Sequence, residues 1–385
     1  MKFRDFDVDW FLREIWQKKP LLIRNAFPDW ENPLTPDELA GLACEEEVES
    51  RLITYSQKAD DWKLEHGPFP EARFAKVPKS HWTLLVQAVD QWVPEVAELI
   101  EPFRFLPDWR IDDVMVSYAA TGGGVGPHFD QYDVFLIQGR GRRKWQIGPL
   151  CDKDCKLRDN KQLRLLAEFE ATEEWILEPG DMLYVPPRLA HDGVALDDEC
   201  MTYSVGFRAP GQAELISHWA DHVLETVSDD DRFEDVDRAP AHNPGEITAT
   251  SLNELRRLVL EKLTDTREFS RWFGNFTTTP KYADQDFAPD KSITAKTLLS
   301  RLKKYGVLQR NAASRFAFLR ADRVLLFVDG CSYDGIDTEL VEYLCAHRQW
   351  PQAELAQWLT RDASVELLRT LFNQGSIHFD ESADD

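Results

Sequence analysis

Gly122-Gly-Gly-Val-Gly126-Pro127-His128-Phe-Asp130-Gln-Tyr-Asp133-Val134 is where the reading of this chain begins. On an extended backbone, residues two apart point to one face, so His128 and Asp130 can reach the same ion. The tripeptide alone carries little weight, because His378-Phe-Asp380 repeats it near the end of the chain. That second copy has no histidine downstream and reads as chance. The first copy has context. The glycines before it form a turn that lets backbone approach a small pocket. They match neither a phosphate loop nor a dinucleotide fingerprint, since no Gly-Lys-Ser/Thr and no helix follow. Downstream, Glu178-Pro-Gly-Asp181 makes a tight turn into Met182–Val185, and His191 follows Pro186-Pro187. Two histidines and one carboxylate on facing strands form a facial triad that leaves coordination positions open and favours iron(II). The separation between the His-x-Asp pair and His191 suits a small antiparallel barrel.

Strand-like segments surround this stretch: Val114-Met-Val-Ser-Tyr118, Asp133-Val-Phe-Leu-Ile137 and Met182-Leu-Tyr-Val185, all rich in β-branched and aromatic residues. Gly139-Arg-Gly141 followed by Trp145-Gln-Ile-Gly reads as a hairpin. An acidic co-substrate would need a cation inside the barrel. Arg140, Arg142, Arg143 and Lys144 are the tightest basic cluster in the chain. Arg143 alternates with Trp145 and Ile147, so it is the inward candidate, placed to grip a carboxylate through two nitrogens. The alternative is a solvated basic strand.

Beyond Arg208-Ala-Pro-Gly211 the pattern turns helical, with amphipathic stretches at Glu214–Val227 and Ser251–Phe273 around an acidic linker, Ser228–Pro244. Ser251 with Glu254 fits a capping box. A small helical region with apolar faces is a common dimer-forming element. From 286 onward, helical signals at Thr294–Lys304 and Thr338–His347 frame a strand pair around Asp329-Gly330. Gln352–Trp358 and Val365–Gln374 read as further helices, and Ser376–Phe379 as a short strand before an acidic tail. Helices with small strands suggest a winged helix, here with a contact or structural role rather than DNA reading. The expected division is 1–208, 209–285 and 286–385.

The 385 residues carry a formal net charge of −23, which argues against nucleic acid as a direct ligand and suits a basic protein partner. Six scattered cysteines do not make a disulfide framework; Cys151 and Cys155 would be only half a zinc site, and free thiols are the plainer reading. No apolar run could span a bilayer and no leader pattern is visible from Met1 to Trp16, so a cytoplasmic protein is expected. His218 and His222 lie four apart on a helix but lack the glutamate of a metalloprotease motif.

Trp16-Gln-Lys-Lys-Pro-Leu-Leu-Ile-Arg24, the Gly122–Val134 stretch and Tyr203-Ser-Val-Gly-Phe-Arg-Ala-Pro210 resemble the bacterial ribosomal oxygenases of the JmjC class. The resemblance spans the chain and implies a mixed fold: a double-stranded β-helix (the JmjC/cupin barrel), a helical dimerisation region and a C-terminal winged helix. It implies Fe(II) held by His128, Asp130 and His191, with 2-oxoglutarate and O2 as co-substrates. Arg143 falls on the co-substrate arginine, and Ser117 on a co-substrate hydrogen-bond donor. It further implies a homodimer that hydroxylates the β-carbon of an arginine in large-subunit ribosomal protein sixteen. Other readings open at this point are a lysine demethylase or hydroxylase acting on another protein, a non-oxidative cupin, and a DNA-binding regulator whose barrel senses a ligand.

Overall fold

The computed structural model describes residues 6–160 and 162–379, and the chain divides into two compact units, Met1–Ala209 and Pro210–Asp385. The first unit holds strands β1 (Leu21–Ile23), β2 (Ser50–Ser56), β3 (Asp61–His66), β4 (Trp82–Val86), β5 (Ile111–Ala119) and β6 (Val134–Arg140). It continues with β7 (Arg143–Leu150), β8 (Glu173–Leu177), β9 (Met182–Val185), β10 (Leu189–Ala195) and β11 (Cys200–Phe207). Eight of them form an antiparallel sheet in the order β1-β9-β6-β11-β5-β4-β2-β3, and β10-β7-β8 form a second one. This is the double-stranded β-helix.

Strand β6 shows why its sequence reads as an apolar run rather than an alternation. Phe135 and Ile137 pack outward on Phe11, Phe27 and Phe103, which lie on α1 (Val8–Glu14) and the segments that cover the large sheet. Val134 and Leu136 point the other way, onto Trp145, Ile147 and Leu177 of the small sheet. A strand covered on both faces has no polar side to show.

The expected hairpin at 139–141 does not form. Strands β6 and β7 lie in different sheets, each paired to other partners, so the turn carries the chain from one sheet to the other. Gly141, at φ +57, permits that change of direction. The crossing lets Arg143 begin a strand that faces back toward β5, β6 and β11.

In the second unit, α2 (Gln212–Thr226), α3 (Ala249–Leu263) and α4 (Thr266–Thr278) come first. The stretch 251–273, read as a single helix, is two. Asp265 accepts from the backbone N–H groups of Arg267 and Glu268 and caps a new helix there. The cap at the preceding helix is Thr248, which accepts from the Ser251 N–H, so the Ser251–Glu254 capping box is not used. Trp219, Val223 and Trp272 form the small core of these helices.

The remainder contains α5 (Ala295–Tyr305), α6 (Thr338–Ala346), α7 (Gln352–Leu355) and α8 (Asp362–Asn373). Its strands are β12 (Val307–Arg310), β13 (Phe316–Arg320), β14 (Val324–Val328), β15 (Cys331–Tyr333), β16 (Gln349–Pro351) and β17 (Ile377–Phe379). They form two small sheets, β16-β12-β17 and β13-β14-β15, around a core that includes Leu302, Leu344, Trp350 and Leu368. This is the winged helix. Asp329 and Gly330, both at positive φ, turn β14 into β15 as expected. The α7 helix is shorter than the segment 352–358 read from the pattern. Helix α4 lies against β14, its Gly274 leaving room for the ring of Phe327. Asp380 of the second His-x-Asp, the acidic tail and residues 1–5 lie outside the described residues. Among the described residues no helix is long and apolar enough to cross a membrane.

Candidate metal centre and co-substrate pocket

His128 is tied to β10 by an antiparallel bridge to His191: the His128 N–H donates to the His191 carbonyl at 3.0 Å, and the reverse bond is 2.8 Å. Two irregularities aim these side chains. Gly126, at φ +95, passes so close to the Trp62 ring that a Cβ would lie 2.9 Å from it, and its carbonyl faces Nδ1 of His128 at 2.8 Å. On β10 a register shift between Leu189 and His191 turns the histidine inward, and the Leu189 carbonyl faces its Nδ1 at 2.9 Å. Both carbonyls are acceptors only, so each Nδ1 carries the proton and each Nε2 presents a lone pair. Both Nε2 atoms converge on Oδ2 of Asp130, at 3.9 Å from His128 and 3.6 Å from His191.

These three side chains form a group whose ligand atoms all lie within 4.8 Å of one another. Burial, and then the neighbouring His128, lower His191 to about 4, so it is neutral and ready to ligate at physiological pH. Two neutral nitrogens and one carboxylate on one side of an ion fit iron(II) with its remaining positions open.

Asp130 is steadied from behind, where its carbonyl accepts from the Arg188 N–H at 2.6 Å. Asp133, whose role the sequence leaves open, is a buried fastener. It accepts from Tyr184 Oη at 2.6 Å, Gln17 Nε2 at 2.9 Å and Arg110 Nη2 at 3.4 Å. Burial holds its carboxyl above the usual range despite those donors. Tyr132 is half exposed and stands among the charges of Asp130, Asp113, Arg51 and Asp112.

Arg143 lies inside the barrel, 5% exposed, while Lys144 and Gln146 on the other face are more accessible. Its Nε donates to Cys200 Sγ at 3.3 Å, and its Nη2 is buried without a partner. Cys200 also accepts from Gln138 Nε2 at 3.5 Å; Gln138 Oε1 in turn accepts from Thr202 Oγ1 at 3.2 Å. Ser117 is buried on β5, with Oγ 3.5 Å from the Thr202 carbonyl. Arg143 thus borders Cys200 and Ser117 borders Thr202, two β11 residues joined through Gln138, and among the described residues Arg143 makes no ion pair, although the buried Asp192 carboxylate feels its charge.

Trp145 is the residue sequence reasoning passed over. Its ring has the Arg143 guanidinium at 5.7 Å on one hand and the His191 ring at 5.9 Å on the other. Its indole N–H is buried and unpartnered. Gly193 makes room for it, since a Cβ there would meet the indole at 2.6 Å. Two orphaned donors beside a facial triad fit a dicarboxylate, because each unpaired buried donor costs about 1–3 kcal/mol until an acceptor arrives. The sequence signal for Trp145 was its parity with Arg143, there used only to orient the arginine.

The decoys are accounted for. His222 Nε2 pairs with Glu268 at 3.0 Å and His218 packs on Phe276. Cys151 and Cys155 are free thiols in an apolar cluster.

Residues 98–215 match the JmjC domain family, and residues 261–378 match the ROXA-like winged helix. The chain is 37% identical over 372 residues to the ribosomal protein uL16 3-hydroxylase of Escherichia coli K12, covering 96% of this chain and 97% of that protein. It is 46% identical over 208 residues to a probable ribosomal oxygenase of Haemophilus influenzae, covering 54% of this chain and 50% of that one. A crystal structure of E. coli YcfD superimposes with a TM-score of 0.91 at 36% identity, covering 99% of this chain and 100% of that one. A second structure, of YcfD as a ribosomal oxygenase in complex with cobalt and 2-oxoglutarate, gives a TM-score of 0.87 at 36% identity, covering 98% and 99%.

Proposed function

The chain belongs to the JmjC-domain ribosomal oxygenases, and we propose that it hydroxylates the β-carbon of an arginine in ribosomal protein uL16. The observation that carries this reading is the convergence of His128, Asp130 and His191, with the unpartnered Nη2 of Arg143 buried further along β7. His128, Asp130 and His191 would hold iron(II). Arg143 would pair with the distal carboxylate of 2-oxoglutarate, with Trp145 and Ser117 as neutral donors nearby. Iron, when bound, supplies the chemistry by which O2 and 2-oxoglutarate become succinate, carbon dioxide and a hydroxylated carbon.

The protein's own part is positioning. The carbonyls of Gly126 and Leu189 hold the two Nδ1 protons and so keep both Nε2 atoms turned to the metal. Arg143 sits four residues along β7 from Ile147, which pairs with His191, a distance of about 13 Å along the strand. Two inward-reaching side chains and a five-carbon dicarboxylate close that gap. Val134, Leu136, Leu183 and Val185 line the barrel below and keep water from the far end.

We assign catalysis to 1–208, self-association to 209–285 and a contact role to 286–385. Ile216, Leu224, Leu252 and Val259 on α2 and α3 are more than half exposed, which supports a homodimer through these helices. The six free cysteines support a cytoplasmic enzyme, and the net charge supports a basic protein substrate and no nucleic-acid ligand. The test is mass spectrometry of unmodified ribosomal proteins incubated with the enzyme, iron(II), 2-oxoglutarate and air. One added oxygen on uL16, absent with His128→Ala, is the expected result. Formaldehyde release instead would mean demethylation, and an unreacted co-substrate would point to a non-oxidative cupin.

A further inference from the structure

Behind the metal strand lies a cleft of about 280 Å³ whose lining includes Cys151, Cys155, Leu166, Phe169 and Ala190. The two thiols are four residues apart on the loop that follows β7, and both line the cleft. The loop is folded tightly: the Cys155 N–H lies 3.4 Å from the Asp152 carbonyl, and the Asp152 N–H lies 3.4 Å from Cys155 Sγ. Cys151 is buried and Cys155 is partly exposed. A loop folded this tightly, with both cysteines in one apolar cluster, needs little backbone movement to reach disulfide geometry.

The same loop is fastened to the metal strand. The Cys151 N–H donates to the Arg188 carbonyl at 2.7 Å, and Arg188 donates in turn to the Asp130 carbonyl at 2.6 Å. Leu166, across the cleft, donates to the Pro127 carbonyl at 2.8 Å. Phe129, between the two ligands of the His-x-Asp pair, packs in the cluster formed by Cys151, Leu166 and Ala190. Two hydrogen bonds therefore separate Cys151 from a metal ligand.

We propose that Cys151 and Cys155 are a peroxide-oxidisable dithiol whose disulfide form weakens the metal centre. Hydrogen peroxide entering the cleft meets Cys155, the more accessible sulfur, and the thiolate takes one oxygen to become a sulfenic acid while water leaves. Cys151 then attacks that sulfur; the S–S bond forms, the S–O bond breaks, and a second water departs. In total two thiols and one peroxide give one disulfide and two waters. Cys151 is the buried sulfur of the pair, so peroxide reaches Cys155 first and Cys151 reacts second. Closing the S–S bond draws the loop together and shifts Arg188, and with it the backbone of Asp130. The coupling to metal rests on the triad being the iron site, whereas the disulfide does not.

The experiment treats the full-length protein with hydrogen peroxide, blocks remaining thiols with N-ethylmaleimide under denaturing conditions, and maps the peptides by mass spectrometry. Cobalt(II) affinity is measured on the same samples, before and after reduction with dithiothreitol. The expected result is an internal Cys151–Cys155 link two hydrogens lighter, with cobalt affinity about tenfold weaker and restored by reductant. Cys155→Ser should bind cobalt normally and ignore peroxide. Maleimide on both cysteines after treatment, or a disulfide that leaves cobalt affinity unchanged, would overturn the proposal. Absence of cobalt binding in the reduced protein would instead count against the triad as a metal site.

Discussion

Replacing Arg143 with methionine keeps a stem of similar length and removes the charge that Nη2 leaves unpaired in the barrel. If that nitrogen grips 2-oxoglutarate, the KM for the co-substrate rises about 10- to 100-fold, the worth of a charged hydrogen-bonded pair, while metal affinity holds. An unchanged KM would remove Arg143 from the site. His191 makes a different prediction. Its folded value is about 4 against an ordinary 6.5, so between those pH values the unfolded chain takes up a proton that the folded one refuses. Stability of the metal-free protein should therefore fall as pH drops from about 6.5 to about 4, by up to about 3 kcal/mol, and level off below. Urea titrations of wild type and His191→Gln test this; equal pH slopes for the two would contradict it. At this scale the sequence was informative where chemistry and strand parity coincide, as for His128, Asp130 and Arg143. It was silent on Gln138 and Cys200, because their contacts depend on cross-strand register that no local pattern encodes.

On strand β10, two residues beyond the distal histidine, Gly193 leaves room for the Trp145 ring, which is tilted by 49° against the His191 ring. Gly193→Ala places a methyl about where the indole ring runs, so the ring must move. The expected outcome is a destabilisation of about 1–3 kcal/mol in thermal or urea unfolding, together with a raised KM for 2-oxoglutarate. Wild-type stability and kinetics in this variant would show that Trp145 is not pinned as described. The elements themselves were legible to differing degrees. Long β-rich runs such as 114–118 and 182–185 became strands β5 and β9, and the Asp329-Gly330 turn formed where its residue types place it. The hairpin at 139–141 failed because glycine-rich turn chemistry tells that the chain bends, not which strand it will meet. The break between α3 and α4 had a visible signal, Asp265 with Glu268 three residues on, masked by the apolar periodicity that continues through it.

The chain as a whole carries −23 charges, and a basic ribosomal protein should feel that field before it docks. Values of kcat/KM for intact uL16 are expected to fall as salt rises from about 0.05 to about 0.2 M, while those for a short uncharged-flank peptide change less. Parallel salt curves for the two substrates would remove long-range attraction from the account. The composition shift at 208–211 marks the place where the chain passes from its first compact unit to its second, whereas the packing of α4 on the β14 hairpin could not be read from periodicity. The central claim, an iron- and 2-oxoglutarate-dependent uL16 hydroxylase built on His128, Asp130 and His191, is tested most directly in cells. uL16 would be isolated from cells lacking the gene, complemented with either wild type or His128→Ala, and analysed by tandem mass spectrometry. The account predicts one oxygen on an arginine β-carbon with wild type and none with the variant; oxygen present in both, or in neither, would contradict it.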